Sequence, residues 1–174
     1  MINASGLFLA IDQSTSATKA MLFTPDGRLL DQESLSHHQI YPRAGWVEHD
    51  AEEIFNNTLK ASSALLQRHS DQWNHLLALS ITNQRETFVL FDRETGQPLY
   101  NAIVWQCRRG DDICKHLVDA GKENIVHELT GLRIDTYFPA SKLCWLLDAR
   151  PDLCACLKNG SALFGTIETY LIYR

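Results

Sequence analysis

The sequence ITNQRETFVLFDRETGQPLYNAIVWQCRR, residues 81–109, carries the pattern that says most about the fold. An apolar run at 76–81 predicts a buried strand, and it leads into the polar cluster TNQRE at 82–86. In α/β sheets, ligands bind beyond the carboxyl ends of strands. Adjacent Arg85 and Glu86 supply fixed donors and a two-oxygen acceptor, which suit a small polyhydroxy molecule. From the residues alone, an exposed salt bridge between Arg85 and Glu86 without a function is the alternative interpretation.

The pattern on either side predicts an alternation of strands and helices. Apolar runs predict strands at 7–11 and 19–23, and a third strand follows at 29–38. Turn residues at 25–27 join the last two, so the three strands form an antiparallel meander. Asp50 is expected to cap a helix that extends to Arg68, with a carboxylate three residues into it. The remaining predicted elements are a strand at 87–92, a turn at 94–98, helices at 111–120, 123–130 and 142–149, a stop at Pro151 and a last helix capped by Thr166.

Composition places limits on the class of protein. A chain of 174 residues is one domain of ordinary size. Its net charge of −5 argues against nucleic acid as a partner, since phosphate binding requires a basic surface. The sequence contains neither an apolar run long enough to span a bilayer nor a signal-peptide pattern, so we expect a cytoplasmic protein with no membrane partner. Five cysteines suit reduced thiols, and Cys154-Ala155-Cys156 lacks the second ligand cluster of a metal site.

A second polar turn follows the first predicted strand. Asp12 ends that strand, and Gln13-Ser14-Thr15-Ser16 comes directly after it. A carboxylate at this position suits Mg²⁺ bound through water, because Mg²⁺ keeps much of its hydration. Hydroxyls and backbone N–H groups in the turn can hold phosphate oxygens. Ordinary turn chemistry is the alternative that the residues leave open.

Four segments in order resemble the FGGY family of sugar and polyol kinases, and within it most resemble glycerol kinases. They are LAIDQSTSATKAMLF at 9–23, IYPRAGWVEHD at 40–50, TNQRET with NAIVWQCRR within 82–109, and DTYFPASKLCWLL at 135–147. The resemblance runs from about residue 7 to the end of the chain. It implies an α/β, ribonuclease-H-like fold, as in actin-like ATPases and sugar kinases, with a mixed β-sheet flanked by helices.

The resemblance also implies a longer protein. We expect residues 1–174 to be the N-terminal domain of a kinase whose C-terminal nucleotide-binding domain lies outside this chain. A naturally short protein with a frayed last helix is the alternative. The same resemblance puts the catalytic Asp base and most of the adenosine pocket outside the chain, so we expect these residues alone to be inactive. A homo-oligomer of the full-length protein is left open.

By resemblance, Arg85, Glu86, Trp105 and Tyr137 bind the acceptor substrate. An Arg donates to hydroxyl oxygens, a Glu accepts from hydroxyls, and a Tyr phenol does either. An indole offers a flat apolar face to the carbon chain of a polyol. Thr136 stands where glycerol kinases usually have Pro, and this departure beside Tyr137 can shift specificity.

The resemblance assigns the nucleotide phosphates and the metal ion to the first turn. Asp12 lies near the Mg²⁺, and the phosphate-binding residues are Gln13, Ser14, Thr15, Ser16 and Lys19. Glycerol kinases typically have Gly where this chain has Ser14. Glycine permits positive φ and close approach of the backbone to phosphate. The serine therefore affects which of the family's phosphate contacts can be expected in this chain.

The implied activity is ATP- and Mg²⁺-dependent phosphorylation of a terminal hydroxyl of glycerol or a similar polyol, giving glycerol 3-phosphate and ADP. One alternative is a kinase of the same family for a pentulose, tetritol or gluconate. A non-catalytic polyol-binding module and an actin-like structural ATPase are two others. Retention of Asp12, Arg85, Glu86, Trp105 and Tyr137 together favours the enzyme over the binding module. The TNQRET segment at 82–87 disfavours the structural ATPase, because a filament-forming protein needs no polyol pocket.

Overall fold

The computed structural model describes residues 6–174, so the first five residues of the predicted domain lie outside the described range. The chain forms two compact units. The first contains the residues up to His38 together with 50–84 and 166–174, and the second contains 39–49 and 85–165. Each unit has its own sheet and its own apolar core.

The strands are β1 Leu7–Gln13, β2 Ala17–Phe23, β3 Leu29–Ser36, β4 Glu48–His49, β5 Leu76–Thr82, β6 Phe88–Asp92, β7 Ala102–Ile103 and β8 Ala162–Thr166. The helices are α1 Ala51–Arg68, α2 Asp111–Asp119, α3 Glu123–Thr130, α4 Pro139–Ala149, α5 Pro151–Lys158 and α6 Ile167–Tyr173, with a short 3₁₀ turn at Trp73–His75.

The first unit is built on a four-stranded mixed sheet in the order β3-β2-β1-β5. The pairs β1–β2 and β2–β3 are antiparallel, which confirms the predicted meander. Strand β5 runs parallel to β1. Alternate residues of β1 and β2, such as Leu9 and Leu22, are buried, and Leu65 of α1 belongs to the same core. Alternation of this kind is what a half-buried strand requires.

Helix α1 begins as predicted, but its second acidic residue has another role. The side chain of Asp50 accepts a hydrogen bond from the backbone N–H of Glu52 at 2.9 Å. The carboxylate of Glu53 accepts from the backbone N–H of His38 at 3.1 Å and lies 2.8 Å from His38 Nδ1. Glu53 therefore fixes the segment that follows β3.

The expectation that residues 76–81 are buried was wrong for most of the strand. Leu77 and Leu79 are 49% and 55% exposed, and only Leu76 and Ile81 pack against the core of the unit. The physical reason is position, because β5 is an edge strand that pairs only with β1 among residues 6–174. An apolar run predicts a strand without saying whether both of its faces are covered.

The second unit contains a four-stranded sheet in the order β4-β7-β6-β8, with α2–α5. Strands of two residues, such as β4 and β7, carry no periodic signal, and β8 and α5 were also not predicted. Helix α4 begins three residues earlier than predicted, with Pro139 at its first position. Pro151 ends α4 as predicted but also begins α5, since proline is well suited to the first turn of a helix.

Across residues 6–174, none of the helices has the length and apolar character needed to cross a membrane.

Candidate functional site

The turn between β1 and β2 is held by its own side chains. Ser14 donates from its backbone N–H to the carbonyl of Ala17 at 3.0 Å and from Oγ to the same carbonyl at 2.9 Å. Gln13 is 1% exposed, donates from Nε2 to the Ser14 carbonyl at 3.1 Å and accepts from Thr18 Oγ1 at 2.6 Å. The side chains of Gln13 and Ser14 therefore shape the turn from inside.

Serine fits at position 14 without backbone strain. Among residues 6–174, Glu86 is the one residue other than glycine with a positive φ. Ser14 consequently has an ordinary backbone conformation, and the position does not require glycine for its φ.

Asp12 lies between two polar side chains at the carboxyl end of β1. Its Oδ1 accepts from Thr82 Oγ1 at 2.8 Å, and its Oδ2 is 3.8 Å from Lys19 Nζ. The register of the sheet causes this grouping, since Asp12 is opposite Lys19 on β2 and Thr82 on β5. The Asp12 side chain is one-third exposed.

The donor set suits a hydrated magnesium ion. Residues 6–174 contain no cluster of three His, Cys, Asp or Glu side chains that would enclose a metal. Mg²⁺ commonly binds through one or two carboxylates, retained water and substrate phosphates, for which the accessible Asp12 carboxylate is appropriate.

His37, which directly follows β3, supports the turn. Its Nε2 lies 2.9 Å from the carbonyl of Thr15, and its backbone N–H donates to the carbonyl of Ser16 at 3.2 Å. Burial lowers the pKa of His37, which favours the neutral ring. The sequence offers no signal for this contact, because the partners are 22 positions apart.

In the second unit, Arg85 and Glu86 form a turn before β6. Arg85 is exposed, Glu86 is half-buried, and Glu86 has φ 61°. A residue with a side chain in this left-handed region costs about 1–2 kcal/mol, and such strain is concentrated at functional sites. The next residue, Thr87, is buried, and its Oγ1 accepts from the backbone N–H of Trp105 at 3.2 Å.

Trp105 and Tyr137 form an aromatic pair. Their ring centroids are 5.7 Å apart in an edge-to-face arrangement, and both residues are half-buried. Tyr137 lies in a turn whose first residue is Asp135. Asp135 accepts from the Tyr137 backbone N–H through Oδ1 at 2.7 Å and from the Phe138 N–H through its carbonyl at 3.3 Å. These contacts link three of the predicted substrate residues. Glu86 is joined to Trp105 through its neighbour Thr87, and Trp105 is joined to Tyr137 through the ring pair. Arg85 lies in the same turn as Glu86.

A buried ion pair anchors the segment that carries Trp105. Arg109 Nη2 is 2.5 Å from Glu48 Oε1, and the side chains are 0% and 4% exposed. The guanidinium carbon lies 4.2 Å from the ring centroid of Trp46 and 4.9 Å from that of Trp145. Arg109 therefore fixes the loop that follows Trp105, whereas Arg108 is exposed and pairs with Asp111.

Lys142 was missed as a member of the site. Its fully buried side chain contacts the main-chain carbonyls of Trp105 and Tyr137. The available signal was a lysine in the first turn of a helix, where the macrodipole disfavours a cation.

Comparison with known proteins identifies the family. Residues 7–174 match the sequence profile of the FGGY family of carbohydrate kinases, N-terminal domain. The chain is 45% identical over 166 residues to glycerol kinase 1 of Thermotoga maritima, covering 95% of this chain and 34% of that protein. It is 46% identical over 169 residues to a glycerol kinase of Symbiobacterium thermophilum, covering 97% and 34%.

Solved structures agree in fold. The Plasmodium falciparum glycerol kinase with ADP superimposes with a TM-score of 0.92 at 34% identity, covering 97% of this chain and 34% of that one. A gluconate kinase of Lactobacillus acidophilus has a TM-score of 0.85 at 21% identity, covering 97% and 32%, which shows the shared fold alone. The chain spans about a third of the length of these relatives. It belongs to the FGGY family of carbohydrate kinases, as a match to that family's N-terminal domain.

Proposed function

We propose that this chain is the N-terminal domain of an ATP-dependent kinase that phosphorylates a terminal hydroxyl of glycerol or a similar small polyol. The products would be glycerol 3-phosphate, or its analogue, and ADP. The observation that carries the proposal is the turn at 85–86, where Glu86 keeps a strained φ of 61° next to the Thr87–Trp105 contact. Strain of this kind persists where the side chain is needed in one orientation. The relatives named glycerol kinase support the same assignment.

The second unit supplies groups suited to a polyol. Arg85 donates to hydroxyl oxygens and Glu86 accepts from hydroxyls. Together they distinguish a polyol from an alcohol that has too few hydroxyl groups to bond both residues. The half-buried rings of Trp105 and Tyr137 provide an apolar face and a phenol. A site of paired donors and acceptors rejects analogues that leave a member unpaired.

The first unit supplies groups suited to phosphate and metal. Asp12 would hold Mg²⁺ through water, and Lys19, 3.8 Å from its carboxylate, would add positive charge near the transferred phosphoryl group. Gln13 and Ser14 use their side-chain donors within the turn, so Thr15 and Ser16 would contribute the N–H and hydroxyl donors to phosphate. Bound Mg²⁺ neutralises charge that develops on the phosphate oxygens.

Transfer to a hydroxyl also requires a base that takes the proton from the attacking oxygen. We assign that base, and the adenosine pocket, to the part of the protein beyond this chain. The isolated residues 1–174 are therefore expected to show no turnover.

A kinase for another acceptor of the same class is the second candidate, and the residue that favours it is Thr136. Thr136 occupies the second position of the turn that begins at Asp135 and holds Tyr137. Proline is favoured at this position, so threonine gives a turn whose φ is less restricted. A turn of different shape at this position is compatible with a longer acceptor.

The test is a coupled ADP-release assay on the full-length protein with Mg-ATP. The acceptors are glycerol, dihydroxyacetone, erythritol, xylulose, ribulose and gluconate. We expect kcat/KM for glycerol to exceed that for every other acceptor by about tenfold, or 1.4 kcal/mol. Preference for another acceptor would support the second candidate. Absence of turnover with all six would contradict both.

A further inference from the structure

We propose that Lys142 is a positioning residue of the acceptor site, whose ammonium group ties the segment of Trp105 to the turn of Tyr137. Its effect on catalysis rests on the proposed function, because that proposal assigns Trp105 and Tyr137 to the acceptor. The tie itself is a property of the second unit and can be measured without substrate.

The contacts of Lys142 converge on two separate segments. Its Nζ donates to the carbonyl of Thr136 at 2.5 Å, to that of Tyr137 at 3.0 Å and to that of Trp105 at 3.4 Å. An ammonium group has three N–H donors, and here three carbonyls receive them. Trp105 is 37 positions away along the chain, so this bond joins segments that the local sequence does not hold together.

The position of Lys142 is unfavourable for a cation unless it has such partners. Lys142 is 0% exposed and lies in the first turn of α4, where the helix dipole opposes positive charge. Burial lowers its pKa to about 8, while the Cys107 thiol and the carboxylates of Glu86 and Asp135 act in the opposite direction. The group remains mainly protonated at neutral pH, so all three N–H donors are present.

The geometry of the aromatic pair depends on this tie. The Trp105 and Tyr137 rings meet at 5.7 Å, and Lys142 bonds the main chain of both residues. At position 136 it binds a carbonyl, which every residue type offers, so the tie is independent of the Thr136 side chain. Displacement of these two rings would weaken binding of the acceptor, which raises its KM.

The test compares the full-length protein with its Lys142→Met variant, which keeps the length of the side chain and removes the donors. We expect KM for the preferred acceptor to rise about tenfold, with KM for Mg-ATP changed by less than about twofold. General loss of folded enzyme would lower the apparent kcat and leave both KM values unchanged. Hydrogen exchange without substrate should become faster at 104–107 and 135–138.

Lys158→Met is the matched control, because Lys158 is an exposed lysine at the end of α5 in the same unit. It should leave both KM values and the exchange at 104–107 and 135–138 unchanged. If Lys142→Met does not fold, Lys142→Gln replaces it, since its shorter amide keeps two donors. The Gln variant should show the same separation of KM values to a smaller degree.

An acceptor KM equal to wild type in either soluble variant would overturn the proposal. Unchanged exchange at 104–107 and 135–138 would overturn it as well, whatever the activity. If the wild-type protein phosphorylates no polyol while exchange rises in the variant, the proposed function fails and the tie stands.

Discussion

In the first unit, the turn after β1 is held largely by bonds between residues no more than five positions apart, such as that from Thr18 to Gln13. In the second unit, the contacts around the acceptor residues join distant parts of the chain. Thr87 and Trp105 are 18 positions apart, and Lys142 and Trp105 are 37 apart. The candidate phosphate turn is therefore mainly a local structure with added support from His37, whereas the candidate acceptor site depends on tertiary packing.

This difference determines how each region responds to amino-acid substitution. A local turn tolerates single changes, because neighbouring bonds still define its shape. A site assembled from distant segments depends on a few buried polar groups, and removal of one partner leaves the other unsatisfied. Arg109 and Lys142 are such groups in the second unit, so we expect substitutions there to cost more than substitutions within the turn.

The largest expected effect is that of Arg109→Met. It leaves the Glu48 carboxylate buried without its partner, which costs about 3–5 kcal/mol of unfolding free energy. Denaturant unfolding of the full-length protein measures it. The control is Arg150→Met, because Arg150 forms an exposed pair with Asp152 and its loss should change stability little. Equal stability of the two variants would show that the second unit does not depend on the buried pair.

A smaller effect is expected at Glu86, where stability and function should separate. Glu86→Gly and Glu86→Ala both remove the carboxylate, but only glycine accepts a φ of 61° without strain. We expect the Gly variant to be more stable than the Ala variant by about 1 kcal/mol in thermal unfolding, with polyol turnover lost in both. An Ala variant at least as stable as the Gly variant would contradict the strain at this turn.

The pH dependence of stability tests the support of the first turn by His37. Burial lowers the pKa of His37 below its ordinary value of 6.5. The unfolded chain therefore takes up the proton first, so the stabilisation is complete above pH 6.5 and is lost as pH falls through the folded-state pKa. The melting temperature should fall less between about pH 7.5 and pH 5.5 in His37→Gln than in wild type. The control is His38→Gln, which changes a 91% exposed side chain. Its melting temperature should keep the part of the wild-type pH dependence that His37 causes. Identical slopes in His37→Gln and wild type would contradict the assignment.

The smallest effect is expected for Ser14→Gly. The change removes the two bonds between Ser14 Oγ and Ala17 and adds backbone freedom, a cost of about 0.5–1 kcal/mol. Because Ser14 has an ordinary φ, KM for Mg-ATP should change by less than about twofold. A large change in KM for Mg-ATP would show that the side chain at position 14 contacts the nucleotide directly.

The parts of the molecule that the sequence predicts well are those with local causes. Apolar runs and turn residues predict β1–β3, and the Asp50 cap with the 3.6-residue period predicts α1. Four segments in order identify the family. The two-residue strands β4 and β7 were not predictable, since their pairing is set by tertiary contacts. Exposure of β5 depends on which strands lie beside it, a fact that no single segment contains.

The same distinction applies to the candidate site. Arg85, Glu86, Trp105 and Tyr137 were found by resemblance, and their roles remain a proposal. The strain at Glu86 and the bonds of Lys142 needed coordinates, because φ and long-range carbonyl contacts leave no pattern in the residues themselves. Lys142, a lysine in the first turn of α4, is a local irregularity that the sequence does contain.

The measurement that most directly tests the account is calorimetric titration of glycerol into the full-length protein and its Glu86→Gln variant. The variant keeps the shape of the side chain and removes its charge. Wild-type protein should bind glycerol saturably, and the variant should bind at least about tenfold more weakly, since a hydrogen bond to a charged group contributes about 1.5–3 kcal/mol. Equal affinity of the two proteins, or no binding by wild type, would contradict the assignment of the acceptor site to the turn at 85–86.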